Sequence, residues 1–261
     1  MYLKSFVRRS LGKLLPSENT RIKAECPICF SKEGYLRLPD YYLELYMRYN
    51  LNYSISDFET LNIENYSCKK CGATDRDRLI ALFLSDYLEA KNENRLKLLD
   101  FAPSKSLKKF IDKYNNDYKS ADLYMNDVDY NVDIRDMKIF GDSSFDVFIC
   151  SHVLEHIDDD IAAMKELYRI AKKGGVGILL VPIPLGLSKS VENEEYLLTE
   201  ALRWKYFGQN DHVRMYSKQD FIERLEKVGF YVKELGKEHF GEKFHSAGIT
   251  PRSVLYVVRK L

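Results

Sequence analysis

The chain has 261 residues, 45% of them hydrophobic, which is room for one α/β domain with a sizeable core and a small appendage. Forty basic side chains against 39 acidic ones leave a formal charge of +1, so nothing global argues for a nucleic-acid surface and any such surface has to be local. No apolar run reaches membrane-spanning length, since residues 176–187 are broken by glycine and proline, and no secretory signal opens the chain, so the expected location is the cytoplasm.

Residues 1–25 carry Lys4, Arg8, Arg9, Lys13, Arg21 and Lys23 against Glu18 and Glu25. Leu3, Phe6, Val7, Leu11, Leu14 and Leu15 fall on one helical face, and Pro16 stops the pattern. A basic amphipathic helix of this kind can lie on the inner face of an anionic membrane, giving peripheral contact through residues 1–15. The plainer reading docks the same face on the protein's own body or on a second copy, and the sequence leaves the oligomeric state open.

Residues 26–92 read as a separate small module and its connecting helix. Four of the five cysteines form two Cys-x-x-Cys pairs, Cys26-Pro-Ile-Cys29 and Cys68-Lys-Lys-Cys71. In a reducing compartment two such turns present four thiolates about one Zn2+ ion, with a disulfide or redox pair as the alternative. Gly72 suits the left-handed position after the second knuckle, and four sulfurs leave no open position, so the ion is expected to be structural. Between the pairs lie Tyr35, Tyr41, Tyr42, Tyr46, Tyr49, Tyr53 and Tyr66, around a helix expected over 40–49. These tyrosines fill a thin core with their hydroxyls wet, or they line an acceptor pocket. Asp75-Arg-Asp-Arg78 leads into a further helix with Asp75 placed to cap it; Arg76 and Arg78 pair with neighbouring acids or touch a phosphate.

From 93 to 261 the pattern is strand–helix alternation. Strands are expected at 96–101, 118–123 and 128–134, then across a βαβ unit at 145–182, and finally at 230–235 and 253–258, the last two joined without a helix. Helices are expected at 104–114, 194–207 and 218–228. Cys150, in an apolar strand, reads as a small buried residue rather than a nucleophile. In open α/β sheets the ligand binds beyond the carboxyl ends of the strands where strand order reverses, here the ends of the first, second and fourth strands.

The run Phe145-Asp-Val, then Leu154-Glu-His-Ile157, the acidic turn after it, and Lys172-Lys-Gly-Gly175 resemble the second half of a class I S-adenosylmethionine-dependent methyltransferase, of the small-molecule type 11 kind. The tandem knuckles, Leu99-Asp-Phe-Ala-Pro103, Ala121-Asp-Leu-Tyr124 and Gly208-Gln-Asn-Asp-His-Val-Arg214 are similar to a subset of that family, over residues 26–261. The resemblance implies a Rossmann-like seven-stranded sheet in the order 3-2-1-4-5-7-6, helices on both faces, and S-adenosylmethionine as cofactor. Where the family usually has a glycine-rich loop, Asp100 is kept but Ala102, Ser104 and Ser106 stand for the glycines. It implies Asp100, Ala102, Pro103 and Ser104 in the cofactor loop, and Asp122 on the ribose hydroxyls with Leu123 beside it. Asp133 would accept from the adenine amino group, Ile134 would pack the ring, and Ser151 and His152 would face the methionine end. Asp122 and Asp133 can instead cap loops, and Glu155 is placed to cap the next helix.

A hydroxyl acceptor needs a base, and His212 with Asp211 to orient it is the first candidate, beside His152. A loop-bracing His–Asp pair is the competing account. Arg214 grips an anionic acceptor or pairs with Glu223, and His239 and His245 are weaker candidates in a lid. No catalytic metal cluster is visible. The expected function is O-methylation of a small molecule or a glycan hydroxyl, in a glycan-assembly pathway. The alternatives are an RNA-base methyltransferase with a zinc module and a non-catalytic partner of the same fold. Nucleic acid is disfavoured, because the fourth strand ends Ser151-His-Val-Leu154 and only Lys69 and Lys70 sit at the knuckles.

Overall fold

The computed structural model describes residues 24–91, 95–114 and 117–261; the amphipathic helix expected at the N-terminus lies outside the described residues. The cysteine module is a two-stranded antiparallel ribbon of β1 (Tyr35–Leu36) and β2 (Ser67–Cys68), with helix α1 (Asp40–Arg48) between them and α2 (Asp75–Ala90) after them. The cap of α2 is Thr74, one residue before the expected Asp75. Its hydroxyl accepts from the Asp77 amide at 3.3 Å, and the Asp77 carboxylate accepts from the Thr74 amide at 2.9 Å, a reciprocal capping box.

The rest of the chain is β3 (Lys97–Phe101), α3 (Lys105–Ile111), β4 (Asp117–Asp122), β5 (Tyr130–Asn131), β6 (Phe145–Ser151), α4 (Asp160–Ile170) and β7 (Ala171–Leu180), then α5 (Glu200–Phe207), α6 (Lys218–Lys227), β8 (Tyr231–Leu235), α7 (Lys237–Phe240), α8 (Glu242–Ser246) and β9 (Leu255–Arg259). Seven strands form one sheet in the order β5-β4-β3-β6-β7-β9-β8, which is the expected 3-2-1-4-5-7-6. β9 alone runs against its neighbours. Strand alternation sends Leu98, Val147, Ile149 and Ile178 to one face, under α2 and α3, and Leu99, Phe101, Phe148 and Leu179 to the other, under α4 and α6.

Two strand expectations need correction. The third strand is only Tyr130–Asn131, because Asp129 turns back and accepts from the Ser120 amide and hydroxyl, both at 2.8 Å. The last two strands are joined through α7 and α8, whose Phe240 and Phe244 stack at 5.8 Å and bury against α2. His239 and His245 ride on this excursion, which docks on the cysteine module: the Ser246 carbonyl accepts from the Glu25 amide at 2.8 Å and the Tyr35 hydroxyl at 2.7 Å. It is a brace, not a lid. Gly248, at φ +66°, lies flat against the Tyr35 ring, where a Cβ would come within 2.4 Å.

Arg78 ties these parts together. It is fully buried, and its guanidinium donates to the carbonyls of Tyr66 and Ala73 (3.2 and 2.7 Å), of Ala247 and Gly248 (2.6 and 3.3 Å), and of Asn65. Its charge therefore meets carbonyls rather than the neighbouring acids or a phosphate. Tyr35 lies under it, 4.1 Å from the guanidinium carbon. Among the described residues no helix is long and apolar enough to cross a membrane.

Candidate functional site

At the carboxyl ends of the two central strands the chain turns through left-handed backbone twice, at Ala102 (φ +50°) after β3 and His152 (φ +56°) after β6. Side chains other than glycine seldom adopt that conformation, and it collects at functional turns. Each turn is pinned to the adjacent strand, Ala102 N–H donating to the Ala121 carbonyl at 3.0 Å and His152 N–H to that of Leu180 at 2.8 Å.

A cavity of about 550 Å³ opens over these strand ends. It gathers Ala102, Asp122, Leu123, Asp133, Ile134, His152 and Asp211 from the expected site, together with Phe101, Val132, Arg135 and His156. Asp122 Oδ1 accepts from the amides of Tyr124 and Met125 at 2.7 and 2.8 Å, so this carboxylate shapes its own loop while lining the cavity. Asp133 is held by Arg135, whose Nη2 donates at 2.7 Å, and this bond keeps its carboxyl below the usual range. Arg135 also reaches Asp158.

Asp100, Pro103, Ser104 and Ser151 are not among the lining residues. Leu99 and Phe101 take the cavity-side face of β3, so Asp100 points to the other one. There it is buried and accepts from the Tyr118 hydroxyl at 3.0 Å, and burial pushes its carboxyl up to about 7. The Ser104 hydroxyl caps α3 by accepting from the Leu107 amide at 3.1 Å. Ser151 closes the β6 ladder opposite Leu180.

A second cavity, of about 140 Å³, lies where the cysteine module meets the sheet. Tyr42, Tyr46 and Tyr66 line it from the module, Arg76 from α2, Ile183 from the chain beyond β7, and Phe207, Gln209 and His212 from the end of α5 and the loop after it. Burial pushes the Tyr46 hydroxyl up to about 12. Three of the seven tyrosines thus face a pocket, whereas Tyr49 stacks on Trp204 at 5.6 Å. His152 lines both cavities.

Around this junction stand five side chains. His152 Nδ1 is 3.0 Å from Glu155 Oε1, and His212 Nε2 is 4.0 Å from the same oxygen. His212 Nδ1 lies 2.8 Å from the Phe207 carbonyl, which only accepts, so the proton sits on Nδ1 and Nε2 carries the lone pair. Asp211 faces His156 Nδ1 at 3.3 Å, and so orients His156 and not His212. The His156 and His212 rings meet edge to face at 4.6 Å. Glu155 is wholly buried and caps nothing; α4 is capped by Asp159, which accepts from the Ala162 amide at 2.9 Å. Burial and the charge of Arg76 bring His152 down to about 4, and burial also lowers His212. Burial alone would raise the Glu155 carboxyl, but the facing histidines, His152 foremost, outweigh it and bring it to about 2. At neutral pH the junction therefore sets the Glu155 carboxylate against the neutral imidazoles of His152 and His212.

Arg214 does not grip an acceptor and does not pair with Glu223. It is buried, donating to the carbonyls of Leu154 (3.1 Å), Ile157 and Asp158 (2.7 Å) and to Glu192 (2.8 Å), and so clamps the loop after β6. Glu155, read from the sequence as a helix cap, instead faces inward at the junction, while Tyr66, named among the possible pocket tyrosines, and Arg76 line the smaller cavity. Arg76 was visible only as one charge in an alternating run.

In the cysteine module Cys26 and Cys71 Sγ are 3.8 Å apart, Cys29 and Cys68 Sγ 3.7 Å, and all four sulfurs lie within 4.8 Å of one another. A tetrahedral zinc with Zn–S bonds of about 2.3 Å has edges of about 3.8 Å, so the donor set and spacing fit that ion. Gly72 takes the left-handed turn at φ +73°.

Among solved structures the chain is similar to a SAM-dependent methyltransferase from Archaeoglobus fulgidus, at 14% identity over 70% of this chain and 94% of that one, with a TM-score of 0.45. It is also similar to an S-adenosylmethionine-dependent methyltransferase from Mesorhizobium loti, at 14% identity over 67% of this chain and 97% of that one, TM-score 0.44. No curated protein matches it in sequence. A family profile described as a methyltransferase domain matches residues 73–235, which takes in α2 and every strand from β3 to β8. That span is well over half of the chain, and the chain belongs to the methyltransferase domain family.

Proposed function

We propose that the protein transfers the methyl group of S-adenosylmethionine to a hydroxyl of a small-molecule or glycan acceptor. The observation that carries this reading is the pair of cavities meeting at His152: one of about 550 Å³ over the strand ends, of a size for a nucleoside and its amino-acid tail, and one of about 140 Å³ walled by tyrosines. When bound, the sulfonium supplies an already activated methyl, so the protein's task is in-line positioning and removal of the acceptor proton. In the larger cavity Asp122 accepts from the ribose hydroxyls and Ile134 packs the adenine. Across the junction His152 is the base. Its Nδ1 lies 3.0 Å from Glu155 Oε1, and its Nε2 has no hydrogen-bond partner among the described residues. With that cofactor bound, Nε2 would take the hydroxyl proton as the methyl passes from sulfur, which would keep the bonding pair, to the acceptor oxygen. This moves the base from His212, whose lone pair is turned toward Glu155. The four cysteines hold Zn2+ as a structural ion that fixes the tyrosine wall.

Calorimetric titration with S-adenosylmethionine tests the cofactor assignment. One site per chain is expected, weakened roughly 10- to 100-fold by Asp122→Ala, the worth of a hydrogen bond to a charged group. Absence of binding, or an unchanged affinity in the variant, overturns it.

A further inference from the structure

Glu155, His156 and His212 each place one ligand atom in a common space, the three lying within 4.8 Å of one another, at the wall between the two cavities. We propose that these three residues hold a divalent cation. Glu155 is 0% exposed, and neither of its carboxylate oxygens has an aligned hydrogen-bond donor among the described residues, although His152 Nδ1 comes within 3.0 Å. A buried carboxylate in that condition is costly unless a cation meets it. Arg76 contributes charge at a distance but no hydrogen bond to it.

The histidines are prepared as ligands in the way metal sites require. His212 commits Nδ1 to the Phe207 carbonyl and turns the lone pair of Nε2 toward Glu155 Oε1 at 4.0 Å. Left alone, that lone pair and that carboxylate repel each other; a cation between them makes both into ligands. His156 likewise has one nitrogen held, its Nδ1 facing the Asp211 carboxylate at 3.3 Å. A ligating imidazole whose other nitrogen is held by a carbonyl or carboxylate is the usual arrangement. Two imidazoles and one carboxylate suit a first-row divalent ion with positions left open. Bonds of about 2.0–2.2 Å need each ligand to move inward by less than an ångström.

His156 lines the larger cavity and His212 the smaller, so the open positions lie where acceptor and methyl donor meet. There the ion binds the acceptor hydroxyl and lowers its pKa, which lets a weak base such as His152 take the proton. Three protein ligands leave room for two oxygens of one acceptor, which points to a hydroxyl with a second oxygen beside it. This role rests on the methyl-transfer reading; the binding of the ion does not.

The test uses the full chain, with its tightly held zinc counted by elemental analysis, titrated with Mn2+ and followed by the electron paramagnetic resonance of the free ion. One Mn2+ per chain is expected beyond the zinc. His156→Ala, whose side chain is 28% exposed, should weaken uptake by more than about 100-fold, exceeding the loss of an outer partner, with circular dichroism to confirm folding. Glu155→Gln should do the same, with circular dichroism to confirm folding. No saturable uptake by the wild type, or wild-type uptake by His156→Ala, overturns the site. A chain that takes up Mn2+ but not S-adenosylmethionine keeps this inference and loses the methyl-transfer reading; the reverse result loses only the ion.

Discussion

The two cavities are built by different rules. The larger one is lined by residues at the carboxyl ends of successive strands of one sheet: Ala102 after β3, Asp122 ending β4, Ile134 beyond β5, His152 after β6. Any chain with this topology brings those positions together. The smaller one is assembled from stretches that nothing but tertiary packing relates: Tyr42 and Tyr46 on α1, Tyr66 and Arg76 at either side of the second knuckle, Ile183, and Phe207 to His212. One cavity is the property of a fold, the other of this chain, and on the proposed reading the acceptor's identity belongs to the second.

Although unlike in origin, the two belong to a chain in which Arg78 ties the cysteine module to the turn at Ala247 and Gly248, and the largest expected effect tests that tie. Cys68→Ser removes one of the four proposed zinc ligands, and structural zinc in small modules is worth about 10–16 kcal/mol in isolation. The variant should lose several kcal/mol, roughly, and unfold in a single calorimetric transition at a lower temperature, because a melted module would strand a buried guanidinium. Two separate transitions would show that the cavities stand on independent units.

The next effect is confined to the larger cavity's strand. Asp100 has a folded pKa of about 7 against an ordinary 3.8, so the folded state holds its proton more tightly. The stability this group contributes is complete below its unfolded pKa and is lost as pH rises through about 7. Asp100→Asn removes the titration, and urea unfolding should find it more stable by on the order of 2–4 kcal/mol at pH 8. That gain should shrink steadily as the pH is lowered toward 4; a gain independent of pH would mean that Asp100 does not titrate as its burial demands. The smallest effect is Ala102→Gly, which relieves the left-handed strain at φ +50° and should stabilise by about 0.5–1 kcal/mol in the same assay. Neither change should alter the smaller cavity.

Strand periodicity and cysteine spacing are local signals, which is why the strands and the knuckles were legible in the sequence, whereas the sheet order and the strand-end positions Asp122, Ile134 and His152 followed from the family resemblance. The features that escaped it depend on distant partners. Arg78 donates to a carbonyl 169 residues away, and α7 and α8 exist because Phe240 and Phe244 find α2, so neither could be read from its own neighbourhood. The parity of Asp100 on β3, the pairing of Asp211 with His156, and the burial of Glu155 each turn on one rotation of backbone that motif spacing does not record.

One imidazole is a wall of both cavities, and its backbone is pinned at a turn that few residues adopt. On the proposed reading, an acceptor that presses on that ring alters the affinity for the methyl donor. Thermodynamic reciprocity requires the donor to alter the acceptor's affinity by the same factor. On that reading, occupancy of either cavity bears on the other through His152, the lining residue the two cavities share.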